Sequence, residues 1–262
     1  MQTASGISLP SENRNVSVSI VIPTFNEVSR IAQTLSILAT WEQSVALNVE
    51  LLIADDGSDD GTLAKIAECI STPGNLRVLQ LPHRGKAAAV IAGLTESTGD
   101  IVGFMDADLS TPLSMVEPAI RTIETTNGVA IGSREGTYAS RMGEPWLRHV
   151  MGRLFNLMVQ ILLLPGIRDT QCGFKFYSRS AVGIILDRHL LYRDPPTILS
   201  PKVTAFDLEL LYIAKVHGFT ITSLPVTWNY GEGSKVRPVA DSIHNARDAL
   251  QIRLNAWRGL YT

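Results

Sequence analysis

The sequence predicts an α/β fold, with a mostly parallel sheet flanked by helices. Three observations carry this. Apolar, β-branched runs alternate with helical patterns, the signature of βαβ units. The early runs end in clusters of acidic and small residues, where open α/β sheets place their ligands. The chain, 262 residues with 45% hydrophobic and 18% charged residues, is long and apolar enough to bury a sizeable core.

The elements follow in chain order. Residues 1–15 are polar, lack the basic and apolar regions of a signal peptide, and read as a loose tail. Val16–Pro23 (VSVSIVIP) is a buried strand. Asn26–Thr40 sets Ile31, Leu35 and Leu38 at helical spacing. Val49–Ala54 is a second strand, running into Asp55-Asp56-Gly57-Ser58. A helix over Thr62–Ile70 and a short strand at Leu76–Gln80 precede an alanine-rich helix over Gly85–Thr95. Ile101–Met105 is a fourth strand, ending at Asp106-Ala107-Asp108, with a helix expected from near Pro112. Beyond residue 128 the pattern loosens. It still predicts a strand at Val129–Gly132, helices over 145–164 and 206–217, and a strand over Thr220–Trp228. A final helix over 239–258 carries Ile243, Ala246, Leu250, Leu254 and Trp257 along one face. The second half reads as completing the sheet, so residues 16–262 are expected to form one domain.

The net charge is −2, which argues against a nucleic-acid partner, since such a surface carries a basic surplus. That total hides an asymmetry. Residues 50–124 hold 12 acids and 5 bases, whereas residues 129–193 hold 4 acids and 9 bases. Two cysteines, Cys69 and Cys172, make no disulfide scaffold and fit a reducing, cytoplasmic compartment. The most apolar run, Leu154–Leu164, is broken by Asn156 and Gln160 and stops at Pro165-Gly166. As a helix it reaches about 16 Å, short of a bilayer core of about 30 Å.

Several clusters carry chemistry. Asp106 and Asp108, two residues apart at a strand end, are suited to share a hard divalent cation, Mg2+ or Mn2+; the competing reading is a solvated turn. In Asp55–Thr62 (DDGSDDGT) a carboxylate is placed to bond a base or ribose, while Asp59 or Asp60 reads as a helix cap. Arg84-Gly85-Lys86 opens a helix, where Lys86 can add a cation to free N–H groups that suit phosphate; taken alone, Lys86 reads equally as a solvated lysine. Gly231–Lys235 (GEGSK) reads as a flexible loop with a cation, able to close over a diphosphate; the competing reading is a plain turn before Pro238. Asp169, Asp207 and Glu209 are candidates for a base or an orienting carboxylate. Asp207 and Glu209, two apart on a helix, do not share a face. Cys172 reads as a buried thiol, and the five histidines show no ligand spacing.

Taken together, these segments resemble the inverting glycosyltransferases of family 2, which have the GT-A fold with its Rossmann-like sheet. The matching pieces are Val18–Glu27 (VSIVIPTFNE), Asp55–Thr62, Arg84–Ala88 (RGKAA) and Asp106–Thr111 (DADLST). Gly132-Ser133-Arg134, Asp169–Phe176 (DTQCGFKF), Phe206–Leu211 (FDLELL) and Trp228–Lys235 (WNYGEGSK) are similar to the dolichyl-phosphate β-glucosyltransferase branch, beside the dolichyl-phosphate mannose synthases. The resemblance implies a nucleotide-sugar donor, a divalent metal and transfer to a polyprenyl phosphate with inversion.

By position it implies that Pro23, Thr24, Glu27 and Asp55 or Asp56 hold the nucleoside. Asp106 and Asp108 would sit at the metal and diphosphate, Arg134 and Lys235 would meet phosphates, and Ser234 and Gln171 would contact substrate. Residues 16–128 then form a nucleotide-sugar half and 129–262 an acceptor half. UDP-glucose is the favoured donor and GDP-mannose the second. Transfer to a soluble or glycan hydroxyl is an alternative reading, as is a non-catalytic nucleotide-sugar scaffold.

Members of that branch usually carry an N-terminal membrane anchor, and the polar residues 1–15 offer none. The expectation is therefore a cytoplasmic enzyme resting peripherally on a membrane, with a membrane-protein partner or a second copy as further candidates. Arg134, Arg141, Arg148, Arg153 and Arg168 bracket the Leu154–Leu164 run, which with Trp146 and Phe155 reads as an interfacial helix, the alternative being an ordinary core helix with its arginines in solvent. The final helix, with Arg247, Arg253 and Arg258, is expected to pack on the core with a solvated face.

Overall fold

The computed structural model describes residues 16–69, 76–135, 140–142, 146–193, 196–197, 204–229 and 238–262. Of residues 140–142, 146–150, 228–229 and 238–242 it describes the backbone alone.

The first half follows its periodicity closely. Strand β1 (Ser17–Thr24) is buried at all but its first residue, as a run apolar on both faces requires. Helix α1 (Ile31–Ser44), strand β2 (Asn48–Asp55), helix α2 (Thr62–Cys69), strand β3 (Leu76–Gln80), helix α3 (Lys86–Glu96) and strand β4 (Ile101–Met105) alternate along the chain. Helix α1 starts five residues later than its pattern predicts. Asn26 adopts a left-handed backbone (φ 54°), and residues 26–28 donate their N–H groups to Ser58, Thr62 and Asp60 instead of opening a helix.

After a short 3-10 turn (Leu113–Met115) come α4 (Val116–Thr126), β5 (Val129–Ser133), β6 (Ser140–Met142), α5 (Trp146–Leu162), β7 (Phe174–Ser178) and α6 (Arg179–Arg188). The chain closes with α7 (Phe206–Val216), β8 (Ile221–Pro225), β9 (Thr227–Asn229) and α8 (Pro238–Trp257). The single strand expected over 220–228 is two. β8 pairs with β5 in the main sheet, whereas β9 pairs with β6 in a separate two-stranded ribbon.

The main sheet has seven strands in the order β3-β2-β1-β4-β7-β5-β8. All its pairings are parallel except those of β7, which runs antiparallel between β4 and β5. Apolar clusters fill both faces. Helices α1, α2 and α4 cover one, and α3 with α5–α8 cover the other. Alternation along β1 divides its side chains accordingly, with Ile20 and Ile22 on one face and Val21 on the other.

Two helices depart from expectation in what they bury. Phe155 lies in the core, while Leu154, Leu157 and Ile161 of the same helix are exposed. Along α8 the apolar row Ile243, Leu250, Leu254 and Trp257 faces solvent, and the buried face is Asn245, Asp248, Ala249, Ile252 and Asn255. Hydrogen bonds explain the inversion. Asp248 accepts from Tyr192 Oη (2.7 Å) and from the Ala205 N–H (3.1 Å), and Asn255 donates to Tyr261 Oη (3.2 Å). Turning this face outward would take these partners from Tyr192 Oη, the Ala205 N–H and Tyr261 Oη.

Candidate functional site

The register decides where the polar clusters meet. Thr24 lies beside Asp55 at the carboxyl ends of β1 and β2. Because β7 is antiparallel, its first residue, Phe174, lies beside Met105, the last of β4. β5 runs past β7 with Ile131 beside Lys175 and ends at Ser133. Segments 55–62, 106–111, 133–135 and 169–173 therefore gather at one edge of the sheet, the edge at which such sheets bind ligands.

The acidic loop after β2 is held from within. Asp55 is fully buried, accepting from the Ser58 N–H (2.9 Å), Ser58 Oγ (2.6 Å) and Thr24 Oγ1 (3.3 Å). Asp56 accepts from the N–H groups of Arg84 (2.8 Å) and Gly85 (2.8 Å), and its Oδ2 lies 2.7 Å from His83 Nδ1. The His83 ring stacks flat on Phe25, centroids 3.9 Å apart. Gly57 (φ 76°) lets residues 81–83 pass, because a Cβ there would lie 2.8 Å from the His83 nitrogen. Asp59 pairs with the Asn26 amide (2.9 Å), and Asp60 caps α2 through the Thr62 N–H (2.9 Å). Both Asp55 and Asp56 thus spend their oxygens on the protein. Pro23 is buried within β1, and Glu27 pairs with Arg30 at 2.7 Å.

This scaffold aims Lys86. By gripping Gly85, Asp56 fixes the start of α3, and the Lys86 ammonium pairs with Asp106. Partial desolvation works to lower its pKa, but Asp106, Asp207 and Asp108 outweigh that and hold the ammonium above its ordinary value. Asp106 lies against Gly173, where a Cβ would overlap its carboxylate. Its own N–H donates to the Gly173 carbonyl at 3.1 Å. Asp108 is exposed and accepts from the Ser110 N–H at 3.0 Å. The next residue, Leu109, has φ 48°, a costly conformation for leucine of the kind that concentrates at functional sites.

Behind this group sits Lys175, fully buried in β7. Its ammonium donates to the Cys172 carbonyl and to Asp207 Oδ2 (2.8 Å) and lies 5.4 Å from the Phe104 ring centre. The other oxygen of Asp207, Oδ1, is buried and meets no hydrogen-bond partner among the described residues. Asp169, also fully buried, grips Arg134 at three points: its backbone N–H (2.8 Å), Nε (2.8 Å) and Nη2 (2.9 Å). Burial alone would raise the Asp169 carboxyl, but the Arg134 guanidinium, its hydrogen bonds and Lys175 bring it down to about 2. Gln171 is half-buried, its N–H 3.3 Å from Asp169.

Asp207 and Glu209 point apart, as their spacing predicts. Glu209 is structural, accepting from the N–H groups of Leu190 and Leu191 and from Tyr261 Oη (2.7 Å). Cys172 is buried, and burial pushes its thiol pKa up. Ser234 and Lys235, with the rest of their loop, lie outside the described residues, as do the side chains of Arg141, Trp146 and Arg148. Sequence reasoning passed over Lys175 and Gly173. A lysine inside the apolar run Phe-Lys-Phe was the available signal, since a lysine is fully buried only when paired.

The donor set suits a hard cation. Two carboxylates at a strand end leave coordination positions for phosphate oxygens and water, the arrangement Mg2+ favours. The ammonium already seated on Asp106 marks a place where a cation is stabilised. No cluster of three or more metal-ligating side chains occurs among the described residues, so substrate oxygens would have to complete the shell.

Comparison with known proteins identifies the family of this fold. The family description "Glycosyl transferase family 2" matches residues 19–185. A dolichyl-phosphate beta-glucosyltransferase of Dictyostelium discoideum is 31% identical, over 94% of this chain and 77% of its own. The human protein of the same name is 30% identical, over 96% of this chain and 81% of its own. Among solved structures, glucosyl-3-phosphoglycerate synthase from Mycobacterium tuberculosis in complex with Mn2+ and UDP-glucose superposes with a TM-score of 0.60. It is 18% identical and covers 91% of this chain and 79% of that one.

Proposed function

The chain belongs to glycosyl transferase family 2, and from that premise we propose that it moves glucose from UDP-glucose onto dolichyl phosphate or a related polyprenyl phosphate, with inversion. The named relatives support the glucose and the lipid phosphate. The observation that carries the phosphate acceptor over a hydroxyl is the state of the two central carboxylates. Asp169 is held ionised near 2 in the grip of Arg134, and one oxygen of Asp207 is bound to the Lys175 ammonium. Asp169 is therefore not poised as a general base, and Asp207 keeps only one oxygen clear of Lys175. An alcohol needs a general base, since it must lose a proton as it attacks. A phosphate monoester has a second pKa near ~6 and is already an anionic nucleophile at neutral pH.

In this reading a phosphate oxygen of the acceptor attacks the anomeric carbon from the face opposite the diphosphate. The new C–O bond forms as the bond to UDP breaks, and UDP leaves with the electron pair. The protein aligns the two substrates and offsets repulsion between their phosphates. Arg134, fixed by Asp169, meets a phosphate, and Lys86 meets the diphosphate. The open oxygen of Asp207 accepts from a sugar hydroxyl. Lys235 and Ser234 close over the diphosphate. Pro23, Thr24 and Glu27 flank the nucleoside, while Asp55 and Asp56 shape its pocket from behind. Asp106 and Asp108 would hold Mg2+ or Mn2+, which when bound supplies positive charge to the leaving diphosphate.

The acceptor is membrane-borne, so the protein works at a membrane surface. No helix among the described residues is long and apolar enough to cross one. The test is direct: incubate the protein with Mg2+, labelled UDP-glucose and a short polyprenyl phosphate, and look for label in the lipid phase. Lipid-phase label from GDP-mannose alone would replace the donor. Transfer only to a soluble alcohol would overturn the phosphate acceptor.

A further inference from the structure

Two neighbouring helices leave their most apolar residues in water. On α8, Ile243, Leu250, Leu254 and Trp257 are between 42% and 71% exposed, and they recur at the spacing of one helical face. On α5, which packs beside α8, Leu154, Leu157 and Ile161 are between 54% and 73% exposed. Single exposed leucines are ordinary, but complete helical rows mark a surface that something covers.

Charge indicates what covers it. Residues 146–168 and 238–262, which span α5 and α8, contain six arginines and two carboxylate side chains, Asp241 and Asp248; the side chain of Asp241 lies outside the described residues. Asp248 is buried, on the inner face of α8, where Tyr192 and Ala205 occupy it. The solvent face of α8 therefore presents Arg247 and Arg253, with Arg258 just after the helix, beside the apolar row, and no described acid on that face balances them. The Arg253 guanidinium lies over the Trp257 ring, 5.2 Å from its centre. A second copy of this chain would set arginines against arginines. An apolar row flanked by arginines, with a tryptophan at its end, is instead the composition of a helix lying in the headgroup layer of an anionic bilayer.

We propose that the outer face of α8, with the exposed row of α5 beside it, docks the protein on an anionic lipid surface. This rests on the reading that the acceptor is lipid-borne and deepens it by naming the face that meets the lipid. The inner face of α8 links that surface to the site. Asp248 holds the N–H of Ala205 at 3.1 Å, two residues before Asp207.

Vesicle flotation tests it, with the full chain and vesicles of phosphatidylcholine alone or mixed with phosphatidylserine. The wild-type protein should float with the mixed vesicles and much less with the neutral ones. Leu254→Gln with Trp257→Gln should weaken binding about tenfold or more. Arg253→Gln with Arg258→Gln should weaken it about fivefold per arginine and abolish the preference for phosphatidylserine. All these residues are in solvent or at its edge, so transfer to a short polyprenyl phosphate in detergent should be unchanged in every variant. The proposal is overturned if the wild-type protein binds neither vesicle or if the variants float like it. It is also overturned if the protein forms a dimer that the apolar variants dissociate. Loss of transfer from every donor with flotation intact would sink the functional reading and leave the docking face standing.

Discussion

Asp169 takes hold of Arg134 through three hydrogen bonds, one of them to the arginine's own backbone nitrogen. Both the position and the direction of the guanidinium are thereby set by one buried carboxylate. Such a group serves as an anchor, because taking up a proton would break the grip it exists to make.

Asp169→Asn is therefore expected to loosen Arg134 and not to remove a base. Weakening charge-assisted hydrogen bonds of this kind costs roughly 1.5–3 kcal/mol. The acceptor KM should rise about tenfold or more, and the acid limb of the rate profile should stay in place. Loss of turnover at every pH with KM unchanged would return Asp169 to the role of base.

The same pair makes an acid-stability prediction. The folded-state pKa of Asp169, about 2, lies below its unfolded value of about 3.9. Its contribution is present above the unfolded pKa and is lost as pH falls through the folded one. It amounts to about 2–3 kcal/mol. Unfolding of the wild-type protein should become easier between about pH 4 and 2. A variant with Arg134→Met and Asp169→Leu should lack that component of the acid transition.

Gly173→Ala should move the site without unfolding the protein. The added methyl meets the Asp106 carboxylate, and overpacking of this kind costs about 1–3 kcal/mol. The expected outcome is weaker Mn2+-dependent binding of UDP, read by calorimetry, with an unchanged circular dichroism spectrum. Binding equal to wild type would show that Asp106 has room to step aside.

Asp108→Asn separates metal binding from structure. Its carboxylate is exposed, so thermal stability should change by less than about 1 kcal/mol. Turnover should fall by about two orders of magnitude if the charge stabilises the leaving diphosphate through a cation. Equal loss of stability and turnover would make the pair structural.

Lys175 and Asp207 form a buried ion pair. Lys175→Met should destabilise the fold by about 3–5 kcal/mol, because it strands a buried carboxylate. Adding Asp207→Leu should recover much of that loss while leaving the enzyme inactive. Chemical denaturation of the two single variants and the double variant measures the coupling.

The first half of the fold was legible because each strand and its helix are neighbours in sequence. The apolar runs at 16–23, 49–54 and 101–105 announce strands, and each leads into the polar residues that build the site. β7 was not legible. In Phe174–Ser178 a lysine interrupts the apolar run, and the pairing with β4 depends on residues about seventy positions away. Lys175 reads as a surface charge until that pairing buries it. The roles of Asp55 and Asp56 were half legible. The sequence places them at a strand end, but only the fold turns their oxygens inward, toward Ser58, Arg84 and Gly85.

α8 marks the boundary between the two kinds of information. Periodicity by itself determined that residues 239–258 form a helix and that Ile243, Leu250, Leu254 and Trp257 share a face, since both follow from the angle between successive residues. Which face is buried was decided by the tertiary structure. Asp248 and Asn255 find partners in Tyr192, Ala205 and Tyr261, and hydrogen bonds that cannot be replaced in the core hold the polar face inward. The apolar face is left for a surface outside the chain.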